Sequence, residues 1–325
     1  MSKPEDTTAR RDLWMLGGLF GLMIAGLVAA AAATGWEETW AEIKRLTGLQ
    51  IAVLLALSLI NYFFRGIRWH LFARRLGLPT EVSQAMRHYF GGFAMSATPG
   101  RVGELVRMRW LRRETGWGFE KTAPLFIADR AADLAAMGLI LALALGLTAG
   151  GIGGAIPVVA LALGAAYVAT HPKLLGTFAD WGYRLTGRFA RLFVRLRSAA
   201  RSLSVFRGPS TVALAGLLGM IGWLAEGLAF HLLLVWMGAD IGLWMAVAIF
   251  VFATLAGGLT GAPGGLGGAE AAMIALLTLE GVSLAVAIPA TLIIRVTTLW
   301  FAIGLGLLIF PLAERQSQRQ RHANP

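Results

Sequence analysis

The residues of this chain best equipped for chemistry are charges set deep in apolar stretches. Arg101 and Glu104 lie in SATPGRVGELVRMRW, where Pro99 and Gly100 break a run of Leu, Ala, Gly and Val. Asp129, Arg130 and Asp133 fall within IADRAADL, Glu226 within WLAEGLAFHLLL, and Arg295 within IIRVTTLW, while Arg65 and Arg68 open RGIRWHLFARR. A charge at hydrocarbon depth costs at least about 2.5–3.5 kcal/mol, so several together need a shared reason. Mutual pairing, as of Arg130 with Asp133, accounts for single residues. A group of arginines has a further use, because the planar guanidinium fork matches phosphate oxygens. Arg101, Arg130 and Arg295 are therefore expected to bind a phosphate, with Arg65 and Arg68 at its cytoplasmic entrance. Asp129, Asp133 and Glu226 are left with charge pairing or proton coupling. Glu104 and Glu270 have those roles open too, or simply complement a helix dipole from the first turn.

A second break repeats the first. Pro99, Gly100, Gly103 and Glu104 have counterparts, in the same order, in Pro263, Gly264, Gly267 and Glu270 of GAPGGLGGAEAAMIALL. Arg130 lies 31 residues after Pro99, and Arg295 lies 32 after Pro263. The shared order indicates an internal duplication. A short helix is predicted to start after each break, near Val102 and near Leu266, with its N-terminus aimed at the middle of the bilayer. The first N–H groups of a helix lack intrahelical partners, and the dipole places about half a positive charge there. Two such ends facing one another make an anion site out of backbone. Gly100, Gly103, Gly264, Gly265, Gly267 and Gly268 would let an anion come close; tight helix packing is the other use for such glycines.

The elements that must position these residues follow from composition. The chain has 325 residues, 57% hydrophobic and only 14% charged, with a mean hydropathy of +0.66. A soluble protein carries about a quarter charged residues. The reading is an all-α, polytopic membrane protein with six full spans near 13–34, 49–71, 121–147, 152–170, 210–237 and 285–311. Two re-entrant helix pairs are added, 82–98 and 243–261 each running into its break. The chain then divides into a first span with an outside interfacial loop (1–48) and a first repeat (49–147, break at 97–103). A connecting span with a basic amphipathic segment (148–209), a second repeat (210–311, break at 261–268) and a basic tail (312–325) complete it.

Basic residues fix the orientation, because Lys and Arg collect on the cytoplasmic side. Lys3, Arg10 and Arg11, then Arg68, Arg74 and Arg75, the run from Lys173 to Arg207, and Arg315, Arg319 and Arg321 all fall on one side of such a chain. Both termini are thus predicted to be cytoplasmic. The halves run in opposite directions, an inverted repeat whose broken helices meet near the midplane. Loops beside anionic headgroups also explain the net charge of +11 without nucleic acid. Arg184, Arg188, Arg191 and Arg195 share one helix face, suited to an anionic leaflet or to a solvated linker. The run Leu13–Ala33 after Arg10-Arg11 is read as an uncleaved helix, with a signal peptide as the rival. The chain has no Cys and five scattered His, so no metal site or other cofactor is expected. It also lacks a phosphate-binding loop for ATP hydrolysis.

Taken together, RGIRWHLFARRLG, TPGRVGELVRMRWL, IADRAADL and PGGLGGAEAAMIALL resemble the membrane region of lysylphosphatidylglycerol synthases. They resemble equally the stand-alone bacterial proteins that share this flippase-like domain, over roughly residues 50 to 311. The resemblance implies movement of a phospholipid or polyprenyl-phosphate-type lipid between leaflets of a bacterial inner (cytoplasmic) membrane. It carries Arg65, Arg68, Pro99, Arg101, Glu104, Arg130, Asp133, Pro263, Glu270 and Arg295 as matching positions. The synthases have a large soluble C-terminal domain, whereas this chain stops soon after its last span, so aminoacyl transfer does not carry over. The expected function is that of a flippase or scramblase for an anionic lipid, not an enzyme. The alternatives are a membrane-embedded transferase acting on a lipid-linked substrate, or a lipid-binding partner of an envelope-lipid biosynthetic enzyme.

Overall fold

The computed structural model describes residues 40–41, 44–96, 98, 105–148, 155–186 and 203–323, and Gly18 besides. The expected span 13–34 therefore lies outside the described residues apart from Gly18. So do Pro99, Gly100, Arg101, Gly103 and Glu104, and the basic stretch 187–202 with Arg188, Arg191 and Arg195.

Among the described residues every regular element is helical. Helix α1 (Gly48–Arg75) starts at a capping box, in which the Gln50 N–H donates to Thr47 Oγ1 at 3.3 Å and the Thr47 N–H donates to Gln50 Oε1 at 2.8 Å. It ends on Arg74 and Arg75, which suit the negative end of the dipole. Helix α2 (Val82–Gly92) tightens into a 3-10 turn, Phe93–Met95, before the first break; α3 (Val106–Thr115) follows it. Then come α4 (Phe119–Leu147), α5 (Ala155–Thr170) and α6 (Pro172–Thr186). Helix α7 (Pro209–Trp236) opens the second half with Pro at its first position. Helix α8 (Leu243–Leu259) runs into the second break, a 3-10 turn at Pro263–Gly265, and α9 (Gly268–Leu279) leaves it. The last helix is α10 (Leu284–Arg295), a π-helical turn (Val296–Trp300) and α11 (Phe301–Ala323) in one rod.

Among the described residues, four segments are long and apolar enough to cross a membrane: Gly48–Arg75, Phe119–Leu147, Pro209–Trp236 and Leu284–Gln320. The chain is a multi-pass membrane protein. One expectation is altered. Of the expected span at 152–170, residues 152–154 lie outside the described ones and the remainder is helix α5. The last span does not stop near 311, nor do residues 312–323 form a separate tail. The helix continues to Ala323, because Glu314 on it is held by Arg109, Arg113 and the Trp110 indole N–H of α3.

Helix α7 packs along α1 and α4, α8 packs on α4, and α11 packs on α2 and α3, so the halves interlock. The main core lies where α4, α7, α8, α9 and α10 meet, around Phe230, Leu233, Ile249, Met273 and Ile294. A second, aromatic core gathers Tyr62, Trp69, Phe72, Tyr89 and Phe93 of α1, α2 and the turn after it. Gly306 makes the closest crossing. A Cβ there would lie 2.2 Å from the Ala94 nitrogen, so α11 rests backbone to backbone on the turn that leads into the first break.

Candidate functional site

The charges of α1 and α4 meet in one buried network. Asn61, Arg65 and Arg68 share a face of α1 through their four- and three-residue spacing. Opposite them, α4 presents Asp129, Arg130 and Asp133. Arg68 Nη2 lies 2.6 Å from Asp129 Oδ1 and 2.7 Å from Asp133 Oδ1, and Arg65 Nη2 lies 2.6 Å from Asp133 Oδ2. Arg130 Nη2 closes the group at 2.7 Å from Asp129 Oδ2 and 3.2 Å from Asp133 Oδ2. Asn61 accepts from Arg65 at 3.1 Å, and the Trp223 indole of α7 donates to Asp133 Oδ1 at 3.3 Å. The Arg65 guanidinium lies 4.7 Å from the centre of the Trp223 ring.

Three guanidiniums here share two carboxylates, leaving these five groups with one positive charge in excess. The side chains of Arg68 and Asp129 are fully buried, whereas that of Arg130 keeps 23% of its surface exposed. Arg130 is thus the face this network shows to the outside. Arg68 is not at an entrance: it is sealed behind the aspartates and backs them. Arg65, 4% exposed, is likewise a support, although it borders a small chamber.

The second half is arranged around Arg295. Its Nε lies 2.6 Å from Glu270 Oε1, and its Nη2 donates to the Gly264 carbonyl at 2.8 Å. The guanidinium therefore braces the break on both sides, between the turn at Pro263 and the first turn of α9. Gly264, Gly265 and Gly267 have φ of +62°, +71° and +80°, a left-handed conformation that L side chains adopt only with strain. At Gly265 there is no room either, since a Cβ would sit 3.1 Å from the Gly257 backbone of α8. Helix α9 begins at Gly268, two residues after the expected start at Leu266.

Between the two halves opens a cleft of about 330 Å³. Its polar lining is Arg130, Asp133, Trp223, Thr254, Arg295 and the backbone of Gly264 and Gly265. The rest is apolar, made by Leu134 and Met137 of α4, Val158, Leu161 and Ala162 of α5, and Leu255 and Leu259 of α8. Leu161 and Leu259 are more than half exposed, so the apolar wall continues onto the outer surface. The cleft therefore takes a molecule with a charged end and a greasy body.

Of the expected site residues, Arg130, Asp133, Arg295, Gly264 and Gly265 border this cleft. Asp129 sits behind it, and Glu270 reaches it only through Arg295. Glu226, buried on α7, borders the neighbouring small chamber. Sequence patterns missed Asn61 and Trp223; the one signal was a polar side chain and an indole N–H inside spans, each of which needs a partner. They also missed the group at the other end of α2, where Arg87, His88 and Gln84 converge on Glu114. Burial there works to raise the Glu114 carboxyl, but His88, Gln84 and Arg87 together hold it below the usual carboxylate range.

Residues 14–306 match the family described as the lysylphosphatidylglycerol synthase TM region. The chain belongs to this family. Two relatives in Methanothermobacter thermautotrophicus (strain Delta H), each called a UPF0104 membrane protein, extend the likeness. One is 25% identical over 317 residues, covering 89% of this chain and 94% of the relative. The other is 24% identical over 314 residues, covering 89% and 91%. The family match takes in both breaks and both arginine groups, and so includes everything that borders the cleft.

Proposed function

We propose that this protein moves an anionic, phosphate-bearing lipid between leaflets, taking the headgroup through the cleft while the acyl chains stay in the bilayer. The observation that carries this reading is the mixed lining of one cleft: Arg130, Arg295 and left-handed glycine backbone together with apolar residues of α4, α5 and α8, of which Leu161 and Leu259 reach the surface. Arg130 and Arg295 offer the phosphate its charge, and the apolar face offers the chains a lateral way out. The halves are read as inverted repeats with both termini cytoplasmic, and rocking of one against the other as the step that alternates access. The setting proposed with it is a bacterial inner membrane, beside an enzyme that makes or uses the lipid.

The test is reconstitution of the purified protein in liposomes carrying a headgroup-labelled anionic phospholipid. Inner-leaflet label should become accessible to a membrane-impermeant quencher, and Arg130→Gln or Arg295→Gln should abolish that access. Folded variants that move lipid at the wild-type rate would remove the cleft from the mechanism. Lipid that binds and stays in its leaflet would instead mark a lipid-holding partner, and a changed headgroup would mark a transferase.

A further inference from the structure

Asp129, Asp133 and Glu270 stand at or behind the cleft, and they are not held alike. Each aspartate uses both of its oxygens. Their Oδ1 atoms accept from Arg68 at 2.6 and 2.7 Å, the Asp129 Oδ2 accepts from Arg130 at 2.7 Å, and the Asp133 Oδ2 accepts from Arg65 at 2.6 Å. Glu270 uses one. Its Oε1 lies 2.6 Å from Arg295 Nε, whereas its Oε2 is buried and accepts no hydrogen bond among the described residues. The pair is therefore single-pronged, without the two parallel bonds that make arginine–carboxylate pairs strong. A buried acceptor left unmatched weakens it further. Arg295 itself borders the cleft, and Glu270 stands in the first turn of α9, just after the left-handed glycines.

We infer that Glu270 is a resident competitor for Arg295, a carboxylate that the lipid phosphate displaces in order to bind the guanidinium. The inference rests on the proposed lipid translocation for the presence of a phosphate at Arg295. A phosphate presents at least two oxygens to the guanidinium fork, and so makes the two-pronged pair that Glu270 does not. The displaced carboxylate keeps a favourable place, because the first turn of α9 is the positive end of that helix. Arg295 also donates to the Gly264 carbonyl at 2.8 Å, so drawing it from Glu270 loosens one side of the brace across the second break and leaves the other. Glu270 thus sets how tightly the phosphate is held, and takes Arg295 back as the phosphate leaves.

Binding to the purified full-length protein is compared for two lipids with identical chains that differ only in the phosphate, phosphatidic acid and diacylglycerol. The wild type should prefer phosphatidic acid. Glu270→Gln removes the competing charge at nearly constant size. It should bind phosphatidic acid about tenfold more tightly, the scale of one charge-assisted bond, and diacylglycerol within about twofold of the wild type. A carboxylate that only braced the fold would act in the opposite direction, since its loss would weaken phosphatidic acid. Should Glu270→Gln fail to fold, Glu270→Asp keeps the charge in the first turn of α9 but draws it back from Arg295 by one methylene. That variant should tighten phosphatidic acid by about threefold, a part of the same interaction. Unchanged or weaker binding of phosphatidic acid, or an equal gain for both lipids, overturns the competitor; with the wild-type preference intact, it leaves the translocation reading standing. A wild type that binds the two lipids alike has no phosphate site, and sinks the translocation reading itself.

Discussion

At the scale of residues, the network on α1 and α4 divides its labour by burial. Asp133 is the hinge of the group, since Arg65, Arg68 and Arg130 all reach it and Trp223 donates to it. Removing its charge leaves guanidiniums buried with half their compensation. Losing one partner of a buried pair costs about 3–5 kcal/mol. Asp133→Asn is therefore expected to lower the melting temperature in detergent steeply. Arg130→Gln removes the exposed, surplus cation and should leave melting close to wild type while lipid transfer is lost. That split in two readouts, stability for the aspartate and transport for the arginine, is what the difference in exposure demands. If both variants melt alike, the network is not divided in this way.

At the scale of elements, the breaks and the helix that crosses them are held by close approach. Gly306 allows α11 to touch the backbone at Phe93 and Ala94, whereas Gly304, two residues earlier on the same helix, has open space where a Cβ would go. Gly306→Val should force α11 off the turn and destabilise by about 1–3 kcal/mol or more, the usual scale of overpacking. Gly304→Val should be neutral in the same thermal melt. Long apolar runs were legible without any structure, because a span of about 20 residues satisfies its own backbone and needs no tertiary information. The second break was legible for a similar reason: proline interrupts a helix and glycine permits the left-handed backbone of a turn, and both are local properties. Partner choice was not. Arg65 and Asp133 are 68 positions apart, and Arg113 and Glu314 are 201 apart. Spacing names the helix face a charge lies on, but only packing decides which acid that face meets. Arg68 was for that reason expected at an entrance, where its basic neighbours Arg74 and Arg75 stand, and is found instead behind Asp129 and Asp133.

At the scale of the whole molecule, the contacts that build the cleft run between the halves. Helix α7 lies along α1 and α4, α8 lies on α4, and α11 lies on α2 and α3. Tyr62 of α1 donates its hydroxyl to the Thr298 carbonyl in the π-helical turn that follows Arg295. The first half thus adds a hydrogen bond to the turn that follows Arg295 in the second. A 3-10 turn at Leu203–Arg207 buries Leu203 and Phe206, the latter against Phe72 of α1, and so belongs to the packing between the halves. Joining two associated pieces contributes mainly loop-closure entropy, which grows slowly with length. A chain cut between Thr186 and Leu203 and co-expressed as two fragments should therefore assemble in the membrane. The tagged first fragment should co-purify the second in a one-to-one ratio, and the pair should bind the same lipid as the intact chain. Tyr62→Phe in the first fragment should weaken that association without altering either fragment's insertion. Fragments that insert and purify separately would show that the halves depend on their connection, and that the cleft is not built by the packing between them.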